Sequence, residues 1–159
     1  MGYIVQFADL QAQDVAVVRG EVPHDGLPDF LGPAFEEVMR VVTEQGLHAV
    51  GPPFGQYRPA EDRGWIVAAG FPVSGVVTTA GRVEPDRLPV GRAARTVHVG
   101  DYSDLVGAYE AATSFATDNG YEMSGDPWEL YLDGPVVELP RTEVFVPCRE
   151  VEPRRPEAG

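Results

Sequence analysis

The sequence predicts an α+β fold: two β-α-β-β modules in pseudo-two-fold arrangement, sharing one antiparallel sheet, with both helices on one face and a central groove. Three observations predict it. The chain has 159 residues, the size of one ordinary domain or of two small modules sharing a core. Apolar residues recur alternately with strand and with helical spacing. The chain also repeats itself. Phe35-Glu36-Glu37 returns 74 residues later as Tyr109-Glu110-Ala111. At the same offset Ala34 meets Ala108, Thr43 meets Thr117, Gly46 meets Gly120, Tyr57 meets Tyr131 and Phe71 meets Phe145. Gly51-Pro52-Pro53-Phe54 likewise meets Gly125-Asp126-Pro127-Trp128.

The first module spans about 14–73. Asp14 to Val22 is a β-branched run and reads as a strand. A loop rich in Pro and Gly follows. Pro33 suits a first helical turn, and Ala34 to Gln45 has helical spacing, with Phe35, Val38, Met39 and Val42 on one face and Gly46 as the C-terminal cap. Short strands are expected at Phe54–Arg58 and Trp65–Val73.

The second module spans about 91–147. Arg92 to Val99 reads as a strand, and Val17-Val18-Arg19-Gly20 aligns with Val97-His98-Val99-Gly100. Asp101 or Ser103 can cap a helix running to Asp118, which places Leu105, Tyr109, Ala112 and Phe115 or Ala116 on one face. Trp128–Leu132 and Thr142–Val146 read as strands. Residues 1–148 thus form one domain, and 149–159 read as a disordered tail.

One such module cannot cover both faces of its strands alone. Two copies joined in one sheet put both helices on one face and leave the opposite face as a concave surface between them. Ligand sites favour such junctions. Phe54 with Trp128, and Tyr57 with Tyr131, are expected about the pseudo-axis.

Composition excludes several functions. The net charge is -13, from 25 acidic residues against 12 basic ones, all of them Arg. Phosphate neutralisation needs a basic face, so direct nucleic-acid contact is not expected. No apolar run is long enough to span a membrane. Cys148 stands alone, so no internal disulfide is possible. The first residues lack the basic and apolar regions of a signal peptide, which makes cytoplasmic residence the expectation. His24, His48 and His98 lack zinc-site spacing, the glycines form no phosphate or dinucleotide loop, and no metal or cofactor is expected.

Several stretches carry a family resemblance: the Gly-Pro turn with its following aromatic and Tyr57, Leu88 to Glu110, Gly125-Asp126-Pro127-Trp128-Glu129-Leu130-Tyr131, and Thr142-Glu143-Val144-Phe145. In that order they resemble the GyrI-like small-molecule-binding domain, known from effector-binding domains of multidrug-responsive transcription regulators and from the gyrase inhibitory protein. The resemblance runs from about Val15 to Pro147. It implies the doubled module already read from the repeat. It also implies that Glu129, in the aromatic–Glu–x–Tyr position, meets cationic drugs. An acid near Glu143 often faces the pocket in that family.

The residues support this independently. Glu129 replaces Gly55 at the repeat offset and so breaks the symmetry. A carboxylate among aromatics suits a lipophilic cation, since rings add area and cation–π attraction of roughly 0.5–2 kcal/mol each. The expected ligand-binding residues are Glu129, Tyr57, Tyr131, Trp128, Trp65, Phe71, Glu143 and Phe145. Most of these rings could equally be core, and Tyr57 and Tyr131 face the groove most directly by alternation. His98 reads as structural.

The expected function is binding of hydrophobic, aromatic, often cationic small molecules, with any regulation exerted through a protein partner. An alternative is hydrolysis of cyclopropane-containing toxins, which some members of the family perform. There Glu129 would activate water and Tyr57 or Tyr131 would donate to the leaving group. A second alternative, gyrase inhibition, would use the acidic charge as a DNA mimic.

Overall fold

A computed structural model describes residues 3–23, 25–61, 64–133 and 138–151. The elements are β1 (Gln6–Leu10), β2 (Gln13–Pro23), α1 (Leu27–Glu44), β3 (Phe54–Pro59), β4 (Gly64–Pro72), β5 (Val83–Leu88), β6 (Gly91–Val99), α2 (Leu105–Asp118), β7 (Tyr121–Met123), β8 (Trp128–Tyr131) and β9 (Arg141–Glu150). The strands form one antiparallel sheet in the order β1-β6-β9-β8-β3-β4-β2-β5, with β7 also on β9. Strands β1, β5 and β7 were not expected. β1 and β5 are the sheet edges, and β5 carries Pro85, which an edge strand tolerates because it removes a ladder donor.

The two expected helices are present, with different beginnings. α1 starts at Leu27, so Pro33 lies inside it rather than in its first turn. Pro28 occupies the first turn instead. Leu27, Phe30 and Leu31 pack against the core, and that burial offsets the hydrogen bond an internal Pro removes. Met39, expected on the apolar face, is 37% exposed, while Ala34, Val38, Val41 and Val42 are buried. Before α2, a 3-10 turn at Tyr102–Asp104 does the work expected of a side-chain cap. Neither Asp101 nor Asp104 makes a side-chain capping bond there. Both helices end before a glycine with positive φ, Gly46 at 74° and Gly120 at 84°, as the repeat implies.

The pseudo-two-fold axis passes between β3 and β8. Gly55 is the partner of Glu129 in that ladder, and these two are repeat equivalents. Cross-strand pairing corrects the repeat in the flanking strands. Tyr57 pairs with Val67 and Tyr131 with Thr142, which makes Gly70, not Phe71, the counterpart of Phe145. By the same ladder Gly20 corresponds to His98, not to Gly100. A one-residue difference of register moves a side chain to the other face.

Each helix covers its own module. α1 packs on β2 and β4, and α2 packs on β6, β7 and β9. The core under α1 includes Ala16, Val18, Tyr57, Val67 and Ala69. The core under α2 includes Ala94, Val144, Val146 and Cys148. A third cluster fills the other face: Val15, Val17, Phe54, Ala68, Ala93, Trp128 and Phe145, with Ala8 and Leu10 from one sheet edge and Leu88 from the other. The sheet therefore curls until both edges contribute to one cluster. The concave face expected as the groove is thus packed with side chains. Inner strands buried on both faces explain why Val15 to Val18 are all apolar.

Arg149 and Glu150, expected in a disordered tail, continue β9 and pair with β7. Residues 152–159 lie outside the described residues. Among the described residues, no helix is long and apolar enough to cross a membrane.

Trp128 is 2% exposed and stacks on Phe145 with ring centroids 5.2 Å apart. Trp128→Ala is expected to cost about 3–5 kcal/mol, the range for a large buried aromatic, measured as a lower urea midpoint at unchanged slope.

Candidate functional site

The central strands β3 and β8 lie between the footprints of the two helices. On the helix-bearing face, this strip carries Gly55 and Tyr57 from β3 and Glu129 and Tyr131 from β8. α1 adds Phe35 and α2 adds Tyr109, the two residues the repeat equates. The 3-10 turn adds Tyr102.

Glu129 is 8% exposed. Its Oε2 accepts a hydrogen bond from the Tyr109 hydroxyl, and its Oε1 accepts one from the Tyr131 hydroxyl at 3.1 Å. The Tyr131 and Tyr57 hydroxyls are hydrogen-bonded to each other across the pseudo-axis. Gly55 makes this possible. A Cβ there would fall 2.5 Å from the Tyr57 hydroxyl, so the missing side chain is the space the phenol occupies. Rings surround the group: Phe35 and Tyr102 meet Tyr131 at 6.2 and 6.0 Å, and Trp65 meets Tyr57 at 6.1 Å. Phe71 meets Phe35 at 5.8 Å.

The electrostatics follow from burial. Desolvation raises the Glu129 carboxyl above its ordinary value, and the Tyr109 and Tyr131 hydrogen bonds and nearby His98 pull partly the other way. Burial and the Glu129 charge push the Tyr57, Tyr109 and Tyr131 phenols upward. These phenols therefore stay protonated and remain donors at neutral pH. Among the described residues, the hydrogen-bond partners of this carboxylate are neutral hydroxyls, with no guanidinium.

The eight expected residues divide between two faces. Glu129, Tyr57, Tyr131, Trp65 and Phe71 lie on the helix-bearing face. Trp128, Glu143 and Phe145 lie on the other, because successive strand residues alternate. Trp128 and Phe145 stack in the third cluster, and Glu143 accepts from Arg95 at 2.6 Å. The Glu129 cluster is thus on the helix-bearing face, opposite to the face expected to form the groove. His98 is buried between the Tyr3 hydroxyl and the Asp101 carbonyl, each at 2.8 Å. Tyr109, Phe35 and Tyr102 were not among the expected site residues. The repeat contained the signal for the first two, since it equates Phe35 with Tyr109 and places both on the central helices. Among the described residues, no group of three or more His, Cys, Asp or Glu is placed to hold a metal.

The chain belongs to the GyrI-like small molecule binding domain family, which matches residues 5–149. Its fold is that of the EcmrR C-terminal domain (TM-score 0.81, 23% identity), covering 95% of this chain and 100% of that one. This chain spans 58% of the EcmrR chain in the EcmrR–DNA complex. A hydrolase from Listeria innocua is similar in fold (TM-score 0.66, 14% identity), covering 91% of each chain. So is SAV2435, solved bound to tetraphenylphosphonium (TM-score 0.56, 14% identity), covering 94% of each. No curated protein matches the sequence.

Two outcomes follow. The folded state binds the Glu129 proton more tightly than the unfolded chain, whose carboxyl titrates near 4.5. The stabilisation is complete below that pH and is lost as pH rises through the folded-state value. Glu129→Gln should therefore melt higher than wild type at pH 7, by roughly 2–5 °C, with the gap closing towards pH 4 in thermal melts. Tyr109→Phe removes a donor from a buried carboxylate. It should destabilise the protein by about 1–3 kcal/mol in urea at pH 7, and by much less in a Glu129→Gln background.

Proposed function

We propose that this chain binds lipophilic aromatic cations in the groove between α1 and α2. One observation carries the reading: at the pseudo-axis a buried carboxylate is held by neutral phenols and rimmed by rings. An entering cation would supply a positive charge that the described hydrogen-bond partners of Glu129 lack, and its rings would replace aromatic contacts with Tyr57, Tyr131, Phe35 and Tyr109. Trp65 and Phe71 extend this lining on the α1 side. The excess of acid over base elsewhere on the chain adds a favourable field for cations. The tetraphenylphosphonium complex of SAV2435 supports this choice of ligand class.

A hydrolytic reading of the same groove has one observation in its favour. A carboxyl raised above its ordinary value beside un-ionised phenols is a base next to acids, the pairing that opening of a strained ring by water requires. The Listeria innocua neighbour is described as a hydrolase. In this reading Glu129 takes a proton from water and Tyr131 or Tyr57 donates to the departing carbon. Mass spectrometry of a cyclopropane-containing compound after incubation separates the two, because hydrolysis adds one water and binding returns the compound unchanged.

The binding reading is tested by titrating tetraphenylphosphonium, and the neutral triphenylphosphine oxide, while following Trp fluorescence. Glu129→Gln should weaken the cation about tenfold or more and leave the neutral compound nearly unaffected. Equal affinity of wild type and variant for the cation would remove Glu129 as its charge partner.

A further inference from the structure

Thr142 stands in β9 with its side chain on the helix-bearing face, 0% exposed. Its cross-strand neighbours are Tyr131 on β8 and His98 on β6. Among the described residues its hydroxyl oxygen has no hydrogen-bond partner. Buried side-chain polar atoms nearly always have one, so this exception needs a reason.

The two neighbours are already committed. A carbonyl only accepts, so His98 carries its hydrogen on Nε2 and donates to the Asp101 carbonyl. Its Nδ1 is hydrogen-bonded to the Tyr3 hydroxyl. The Tyr131 hydroxyl is engaged with Tyr57 and Glu129. Valine has nearly the same shape as threonine and needs no partner, and Val144 and Val146 occupy the next two places on this face of β9. Among the described residues, the hydroxyl at 142 thus makes no hydrogen bond that a valine would lose. It does keep a donor and an acceptor in reserve one strand from Tyr131, the ring that meets Phe35 and Tyr102.

We infer that Thr142 is a specificity-determining residue of the groove: its unused hydroxyl bonds a polar group on the ligand. The site then prefers aromatic cations that carry a hydroxyl or similar hydrogen-bonding group over purely apolar ones. This rests on the binding reading above and narrows its ligand class. Glu129 recognises charge. Thr142, two residues along β9 from the Glu129 partner Val144, recognises a neutral polar group on another part of the molecule. A site that holds a hydrogen-bonding group in reserve discriminates by what is left unpaired when the wrong ligand binds.

The experiment compares tetraphenylphosphonium with its analogue bearing one hydroxymethyl group on a ring, by calorimetry, on wild type, Thr142→Val and Thr142→Ser. Wild type and Thr142→Ser should bind the alcohol about tenfold more tightly than the parent cation. Thr142→Val should bind the two alike, keep wild-type affinity for the parent, and melt no lower than wild type. The inference is overturned if wild type binds both cations equally, or if the preference survives in Thr142→Val. A lower melting temperature for Thr142→Val also overturns it, because the hydroxyl would then be a structural group bonded through ordered water. Tight but indifferent binding removes only this inference. No binding of either cation by wild type removes the groove reading as well.

Discussion

Burial of one carboxylate at the pseudo-two-fold axis is the constraint around which this structure is arranged. Glu129 loses water and gains two phenol hydrogen bonds. Hydrogen bonds to a charged acceptor are stronger than neutral ones, but a buried ion held by neutral donors still carries a net penalty. Everything close to Glu129 serves to keep that penalty tolerable. Tyr109 comes from α2 and Tyr131 from β8, and Tyr57 bonds to Tyr131 from β3. One carboxylate thereby ties together both modules.

The symmetry of the repeat explains where this can happen. At the axis, equivalent residues of the two modules become neighbours, so Gly55 faces Glu129 and the Tyr57 hydroxyl reaches that of Tyr131. Two glutamates facing each other there would repel in a low-dielectric site. Glycine removes the second charge and opens the space that the Tyr57 phenol fills. The same asymmetry appears in the helices, where Phe35 supplies only a ring and its counterpart Tyr109 supplies a ring and a donor. One half of the pseudo-dimer provides surface and the other provides charge.

Part of the carboxylate–phenol cluster was legible in the residues themselves. Glu129 stood out as the carboxylate replacing a glycine within an otherwise kept offset, and Tyr57 and Tyr131 as its matched aromatic neighbours. Trp128 was grouped with them as the aromatic beside Glu129, Glu143 as the acid near the family's pocket and Phe145 as the offset partner of Phe71, yet strand alternation carries all three to the opposite face. Phe71 was matched to Phe145 by offset, although the ladder equates Gly70 with Phe145. A single-residue change of spacing between β8 and β9 is small in an alignment and decisive in a sheet. The edge strands escaped notice for a related reason. β1 and β5 are short and partly exposed, so their apolar alternation is weak.

The sequence by itself determined the doubled module, the order of strands and helices in each copy, the acidic balance and the asymmetric carboxylate. These are local or periodic properties, and a constant offset exposes them without any knowledge of contacts. Only the tertiary structure decided which face carries the Glu129 cluster. The sheet curls so that Ala8, Leu10 and Leu88 from its two edges fill the face away from the helices with core. The buried Glu129 cluster lies between the helix footprints, over β3 and β8. Curvature is a collective property of many strand pairings and of the packing between distant edges, so no single segment announces it. Tyr109 and Thr142 acquire their meaning in the same way, from what lies opposite them across the fold.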